Sequence, residues 1–130
     1  MKKSVKVRLI IFNILNEIHQ KNKNFDESFL YLTQNLNLSN QDRSMIYNIV
    51  LNSIRNHLFI NDILNNFLQK KTSLKIRILL LCAITQILYL DFKDYAVTND
   101  SVEIAKIKKT NPSLINSLLK NVIKNKESIN

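Results

Sequence analysis

The chain of 130 residues contains no glycine, one proline and one cysteine. Each scarcity excludes something. Without glycine, two-residue hairpin turns lose the residue that best takes up positive φ. No stretch alternates apolar and polar residues in the manner of a half-buried strand. The expectation is therefore an all-α domain with short polar connections. P-loops and dinucleotide fingerprints need glycine so that the backbone can approach a phosphate, and neither can exist here. Cys82 has no partner for an internal disulfide, and its apolar neighbours Leu81 and Ala83 mark it as a buried thiol. No cation lies nearby in sequence to favour its thiolate. Arg8, Asn13 and Asn16 interrupt the first helix too early for a secretory apolar segment. A reducing cytoplasm is the expected compartment.

What is present centres on Leu74 to Leu90. From Ile78 onward this run carries no charge, and only Thr85 and Gln86 are strongly polar. A helix apolar on nearly all sides is buried by other helices or sits in a membrane. Spanning a bilayer takes about 20 apolar residues, and Lys75 and Arg77 stand in the first turn. The spacing thus predicts a central helix over about 73–90, with the rest of one domain packed around it.

Six further helices are predicted. The first runs from about Ser4 to Gln20, with Val7, Ile11, Ile14, Leu15 and Ile18 as its stripe. Lys21-Asn22-Lys23-Asn24 forms a connection, and Asp26 and Glu27 open a second helix facing inward through Phe29, Leu30, Leu32 and Leu36. Ser39-Asn40-Gln41-Asp42 resembles a capping box. The third helix then reaches about Asn56 and buries Met45, Ile46, Ile49, Val50 and Ile54. A fourth runs from about Asn61 to Gln69 through Ile63, Leu64, Phe67 and Leu68. Lys70-Lys71-Thr72-Ser73 leads into the central helix. Beyond an Asp91–Tyr95 connection, Thr98 is read as the cap of a helix carrying Val102, Ile104 and Ala105. Asn111-Pro112 starts the last helix, which packs Leu114, Ile115, Leu118, Leu119 and Val122. Its polar tail is expected to fray.

Catalytic chemistry finds no constellation. His19 and His57 lie far apart on separate helices, and the carboxylate pair Asp91 and Asp94 suits caps and turns. Metal ligation needs a cluster of His, Cys or carboxylates at ligand spacing, which the sequence does not offer. No cofactor and no enzymatic activity are expected for the chain as given. Gln86, within the most apolar stretch, must be hydrogen-bonded if buried, and is expected to tie a neighbouring loop to the central helix. Asn99 and Asn116, early in their helices, suit similar structural work. Arg43 and Arg55, twelve positions apart, are read as lying near one side of the third helix.

Nineteen Lys and Arg against ten Asp and Glu give a formal charge of +9. Such an excess points to an anionic partner, nucleic acid above all. The chain is also crowded with Lys, Ile and Asn, residues of A/T-rich codons, so clustering carries more weight than the total. Lys2, Lys3, Lys6 and Arg8 crowd the leading turns of the first helix, against the sign the helix dipole favours. They form the first candidate RNA-binding surface. Lys106, Lys108, Lys109, Lys120 and Lys124 form a second, although cations near a helix C-terminus are expected in any case.

The order Leu38-Ser39, Asp42-Arg43, Arg55 and Gln86-Ile87-Leu88-Tyr89-Leu90 resembles the NusB/RsmB superfamily of helical RNA-binding domains. Further matches are Tyr95-Ala96-Val97, Asn99, Val102-Glu103-Ile104-Ala105-Lys106, Asn116 and Leu119-Lys120. The resemblance runs from Val7-Arg8 to about Ile123. The Asp-Arg pair and the following Arg are most similar to the amino-terminal domain of RsmB-type ribosomal RNA cytosine-5 methyltransferases. The chain departs from the pattern with Asn52 in place of a glycine, Lys93-Asp94 in place of a proline, Asn61 for an Asp, Ile11 for an alanine and Lys120 for an arginine.

The resemblance implies a non-catalytic NusB-like domain binding ribosomal RNA or its leader. A catalytic methyltransferase domain would then follow in the same gene, or the chain would stand free. The alternative it implies is transcription antitermination, with a small ribosomal subunit protein as partner and the amino-terminal basic region on RNA. A protein-interaction module is the reading of another class. No membrane partner is expected, because no helix pairs a strong apolar face with a wholly basic one.

Overall fold

In the computed structural model, which describes every residue except Lys70 and Asn130, four helix starts follow side chains that cap them. Ser39 Oγ accepts from the Asp42 amide at 3.0 Å, and Ser73 Oγ accepts from the Ile76 amide at 3.4 Å. Asn24 Oδ1 accepts from the Glu27 amide at 2.8 Å, and Asn111 Oδ1 from the Leu114 amide at 3.1 Å. Each satisfies an amide that the first helical turn leaves without a partner. The helices are α1 (Lys3–Lys21), α2 (Phe25–Thr33), α3 (Asn40–Arg55), α4 (His57–Asn65), α5 (Leu74–Tyr89), α6 (Asp94–Ile107), α7 (Pro112–Lys124) and α8 (Lys126–Ile129). No strand occurs among the described residues.

The fold is all-α, as predicted, with eight helices among the described residues rather than seven. The expected fraying tail holds the short α8, except for Asn130, which lies outside the described residues, as does Lys70 of the connection before α5. α5 is the central helix: every residue from Ile78 to Ile87 is buried. It packs against α1, α3, α4, α6 and α7, while α6 and α7 form the most extensive pair. No helix among the described residues is long and apolar enough to cross a membrane.

Four details differ from the sequence reading. α4 begins at His57, because Asn56 breaks α3 at φ −105° without a side-chain cap to announce the new start. Its buried residues are Ile60, Ile63 and Leu64, and Phe67 is exposed beyond its end. In α2, Leu30 is exposed, as is Leu36 beyond its end; Ser28 and Thr33 are buried instead, beside Phe29 and Leu32. α6 starts at Asp94, so Thr98 is not a cap. Its hydroxyl donates back to the Asp94 carbonyl at 2.8 Å, within the helix. Twelve residues at 3.6 per turn leave Arg43 and Arg55 a third of a turn apart. Arg43 donates to Thr33 Oγ1 at 3.1 Å, whereas Arg55 is exposed.

Positive φ, which glycine would usually supply, falls to Asn22 (56°), Asp91 (59°) and Lys109 (55°). Lys109 closes α6 in a Schellman arrangement: the Thr110 amide reaches the Ala105 carbonyl at 2.9 Å, and the Lys109 amide reaches the Lys106 carbonyl at 3.1 Å.

Ile84 lies at the middle of α5 and is wholly buried. Ile84→Ala should lower stability by about 2–5 kcal/mol through reduced burial and the cavity left behind. Urea unfolding checks it; a decrease below about 0.5 kcal/mol, the range of ordinary surface substitutions, would show that α5 is not the core.

Candidate nucleic-acid interface

The basic residues of the two sequence patches do not share one fate. Arg8 is the clearest correction. It is only 6 % exposed, so it cannot meet RNA at a surface. In α1 it falls with Ile11, Phe12 and Leu15 at helical spacing, inside the apolar stripe. Its Nη1 donates to Asp100 Oδ2 of α6 at 2.6 Å, and its Nε donates to Gln86 Oε1 of α5 at 2.7 Å. The guanidinium also lies over the Phe92 ring, 5.5 Å from the centroid. Gln86 Nε2 donates to the Cys82 carbonyl at 3.0 Å. The Gln86 side chain thus ties α5 to α1, not to a loop; the loop is held by the Gln86 main-chain carbonyl, which accepts from the Phe92 amide at 3.3 Å.

The remaining cations stay outside. Lys2, Lys3 and Lys6 are exposed at the start of α1. Lys3 and Lys6 border a shallow pocket with Leu36, Leu38 and Asp42, and Lys3 pairs with Asp42 at 3.2 Å. Asp42 therefore sits in the first turn of α3 and meets the exposed Lys3 at the surface, a pairing of small energetic weight. Lys108 lies over the Phe12 ring at 5.5 Å, and Lys109 is exposed at the end of α6.

Lys2 faces the other way. With Met1 and Val5 it forms one wall of an open groove of about 810 Å³. α6 supplies Asn99, Asp100, Val102, Glu103, Lys106 and Ile107, and α7 supplies Pro112, Ser113 and Asn116. Steps of three and four residues place Lys120 and Lys124 on the same side of α7 as Ser113 and Asn116; both lysines are exposed. The groove thus brings together Lys2 from the first patch and Lys106 from the second. Glu103 pairs with Lys106 at 3.4 Å, in the open. Asn99 and Asn116, read from sequence as structural ties, both line the groove. Their amides offer donors and acceptors there.

Of two other expectations, the buried Cys82 thiol is found as expected and the separation of His19 and His57 is not. Burial pushes the Cys82 thiol pKa up, so the thiolate is disfavoured. His19 and His57 are neighbours, not distant: their ring centroids are 4.8 Å apart. Burial, and then His19, hold the His57 pKa below its ordinary value. No group of three or more His, Cys, Asp and Glu that could hold a metal occurs among the described residues.

Helices packed around a buried apolar one, with a groove edged by the start of the first helix, define a small helical-bundle domain. Residues 5–124 match the NusB family, nearly the whole chain, and the chain belongs to that family. No curated protein matches it in sequence.

Arg8→Ala should cost about 3–5 kcal/mol, because it leaves Asp100 charged and unpaired in the interior. Lys6→Ala, at an exposed site, should stay within about 0.5 kcal/mol of the parent. Chemical unfolding of the two variants distinguishes the structural cation from the surface one. Equal, small decreases would mean that the Arg8–Asp100 pair does not hold the helices together.

Proposed function

We propose that the chain is a non-catalytic domain that binds single-stranded RNA along the groove between the start of α1 and the α6–α7 pair. The observation that carries this reading is the meeting of Lys2, Lys106, Asn99 and Asn116 on one open groove. Lysines neutralise phosphates and supply most of the affinity, while amides can bond base edges. Lys120 and Lys124 extend the cationic side along α7, whereas Lys3 and Lys6 border the separate pocket on the other side of α1. An unstacked single strand suits a groove of this kind better than a rigid duplex, because its bases can turn toward the wall.

Within the family, ribosomal RNA or its leader is the RNA we infer. The pattern of Asp42-Arg43 and Arg55 supports a role beside ribosomal RNA cytosine-5 methylation, with a methyltransferase domain as the partner in the same gene. The apolar part of the groove, Met1, Val5, Val102, Ile107 and Pro112, favours a second reading. There a protein, such as a small ribosomal subunit protein, shares the groove with RNA, as transcription antitermination would require.

Salt-dependent binding of a single-stranded RNA tests the proposal. Removing one lysine–phosphate pairing should flatten the log–log salt plot by roughly 0.7. Lys2→Ala with Lys106→Ala should therefore weaken binding and flatten the slope by more than one unit, roughly. Glu103→Gln should strengthen binding, because it removes the carboxylate that faces the strand and engages Lys106. If the double variant binds like the parent while Lys3→Ala with Lys6→Ala abolishes binding, RNA lies on the opposite side of α1. Absence of RNA binding at low salt would leave the domain as a protein-interaction module.

A further inference from the structure

At the opposite end of α1 from the groove, three helices enclose a small cavity of about 60 Å³. His19 comes from the last turns of α1, His57 and Asn61 from α4, and Arg77 from α5; its floor is Ile60, Leu64, Leu74, Ile78 and Leu81. We propose that this cavity is a binding site for a tetrahedral oxyanion of the phosphate class, held by His19, His57, Asn61 and Arg77. His19 lies fourteen residues along α1 from Val5 of the groove, about 21 Å at the helical rise. The site is therefore separate from the proposed RNA path and does not depend on it.

The first ground is the charge around the cavity. Two imidazoles and a guanidinium face one space, and no carboxylate is among the described residues that line it. The nearest acids in sequence are engaged or turned out. Glu17 of α1 pairs through Oε1 with Lys21 at 3.4 Å while its Oε2 is buried without a partner, and neither Glu17 nor the exposed Asp62 of α4 belongs to the lining. Lys75 of α5 is exposed and adds no compensating charge. Arg77 carries the fixed charge of the site, and an anion beside it favours protonation of the two rings, which then add charge-assisted hydrogen bonds.

The second ground is geometry. Arg77 is held in place before any ligand arrives. Its Nη1 donates to Asn61 Oδ1 at 3.4 Å and Asn65 Oδ1 at 3.2 Å, and its Nη2 donates to the Gln69 carbonyl at 3.2 Å. A guanidinium has five N–H donors, so donors remain. His19 Nδ1 stands 2.9 Å from the Leu15 carbonyl. As the donor there, it leaves Nε2 to face a ligand once the ring is protonated. His57, at 4.8 Å between centroids, presents a second ring to the same space. The volume matches about two water molecules at roughly 30 Å³ each, room for a phosphate or sulfate head and little more. A metal ion fits less well, because Arg77 places a fixed positive charge beside the two ring ligands.

The depressed pKa of His57 gives the site a signature. An anion favours the protonated ring, so binding should strengthen as pH falls toward the histidine range. Sulfate is the cleanest probe, because its own charge is constant over that range. In the full chain, sulfate titrated against chloride at matched ionic strength should bind saturably. It should move the His19 and His57 ring resonances and bind about tenfold or more tightly near pH 6 than near pH 8, through a charged hydrogen bond gained. It should also move the His57 titration upward. His57→Ala and Arg77→Gln should each lower the affinity by about tenfold or more. Inorganic phosphate and a nucleoside 5′-monophosphate separate the sources: equal binding identifies the free ion, and tighter binding of the ester identifies a phosphate ester. Ring resonances in the parent protein that respond to sulfate no more than to chloride would overturn the proposal, whatever the fate of the variants. So would sulfate affinity that His57→Ala leaves unchanged.

Discussion

The buried guanidinium of Arg8 constrains this fold more than any other single group. An ion in the interior is tolerated only when paired and hydrogen-bonded, and here its partners come from two other helices. Asp100 fixes α1 against α6, and Gln86 fixes α1 against α5. These bonds set the register of α1, and with it the place of Lys2 and Val5 beside Asn99, Glu103 and Lys106. Asp100 itself lies at the edge of the groove. The proposed interface thus rests on a structural ion pair directly beneath it, and the basic start of α1 divides into one internal cation and three external ones.

Much of this could be read from sequence, and the parts that could not have a physical reason. Ser39, Ser73 and Asn111 announce their helices because capping is local, satisfied within three residues. The apolar run of α5 leaves no choice but burial. α4 starts at His57, after Asn56, whose side chain donates back to the Asn52 carbonyl at 2.9 Å instead of capping the new helix. Arg8 and Asp100 are buried at helical spacing from apolar residues of their own helices, and Gln86 lies within the apolar run of α5. That they meet depends on pairings 78 and 92 residues apart, which periodicity does not encode. The same holds for His19 and His57, whose meeting joins the end of α1 to the start of α4.

The groove illustrates a further distinction. Asn99, Glu103, Lys106, Asn116 and Lys120 carry part of the family resemblance, and from sequence alone the asparagines read as internal ties. In the fold the first four line one open surface, and Lys120 follows on the same side of α7. The absence of glycine leaves its own mark nearby. Lys109 occupies the left-handed position that closes α6, where a side chain costs roughly 1–2 kcal/mol relative to glycine. A cation is thereby kept at the end of the helix that forms one wall of the groove.

The side-chain amides of Asn99 and Asn116 are the most direct witnesses to RNA in the groove. Their resonances should be followed by heteronuclear NMR as single-stranded RNA is added at low salt. Binding in the groove predicts that both amides shift, together with the backbone amides of Lys2, Lys106 and Lys120. Shifts confined to the α2–α3 side of the molecule, with Asn99 and Asn116 unmoved, would contradict it.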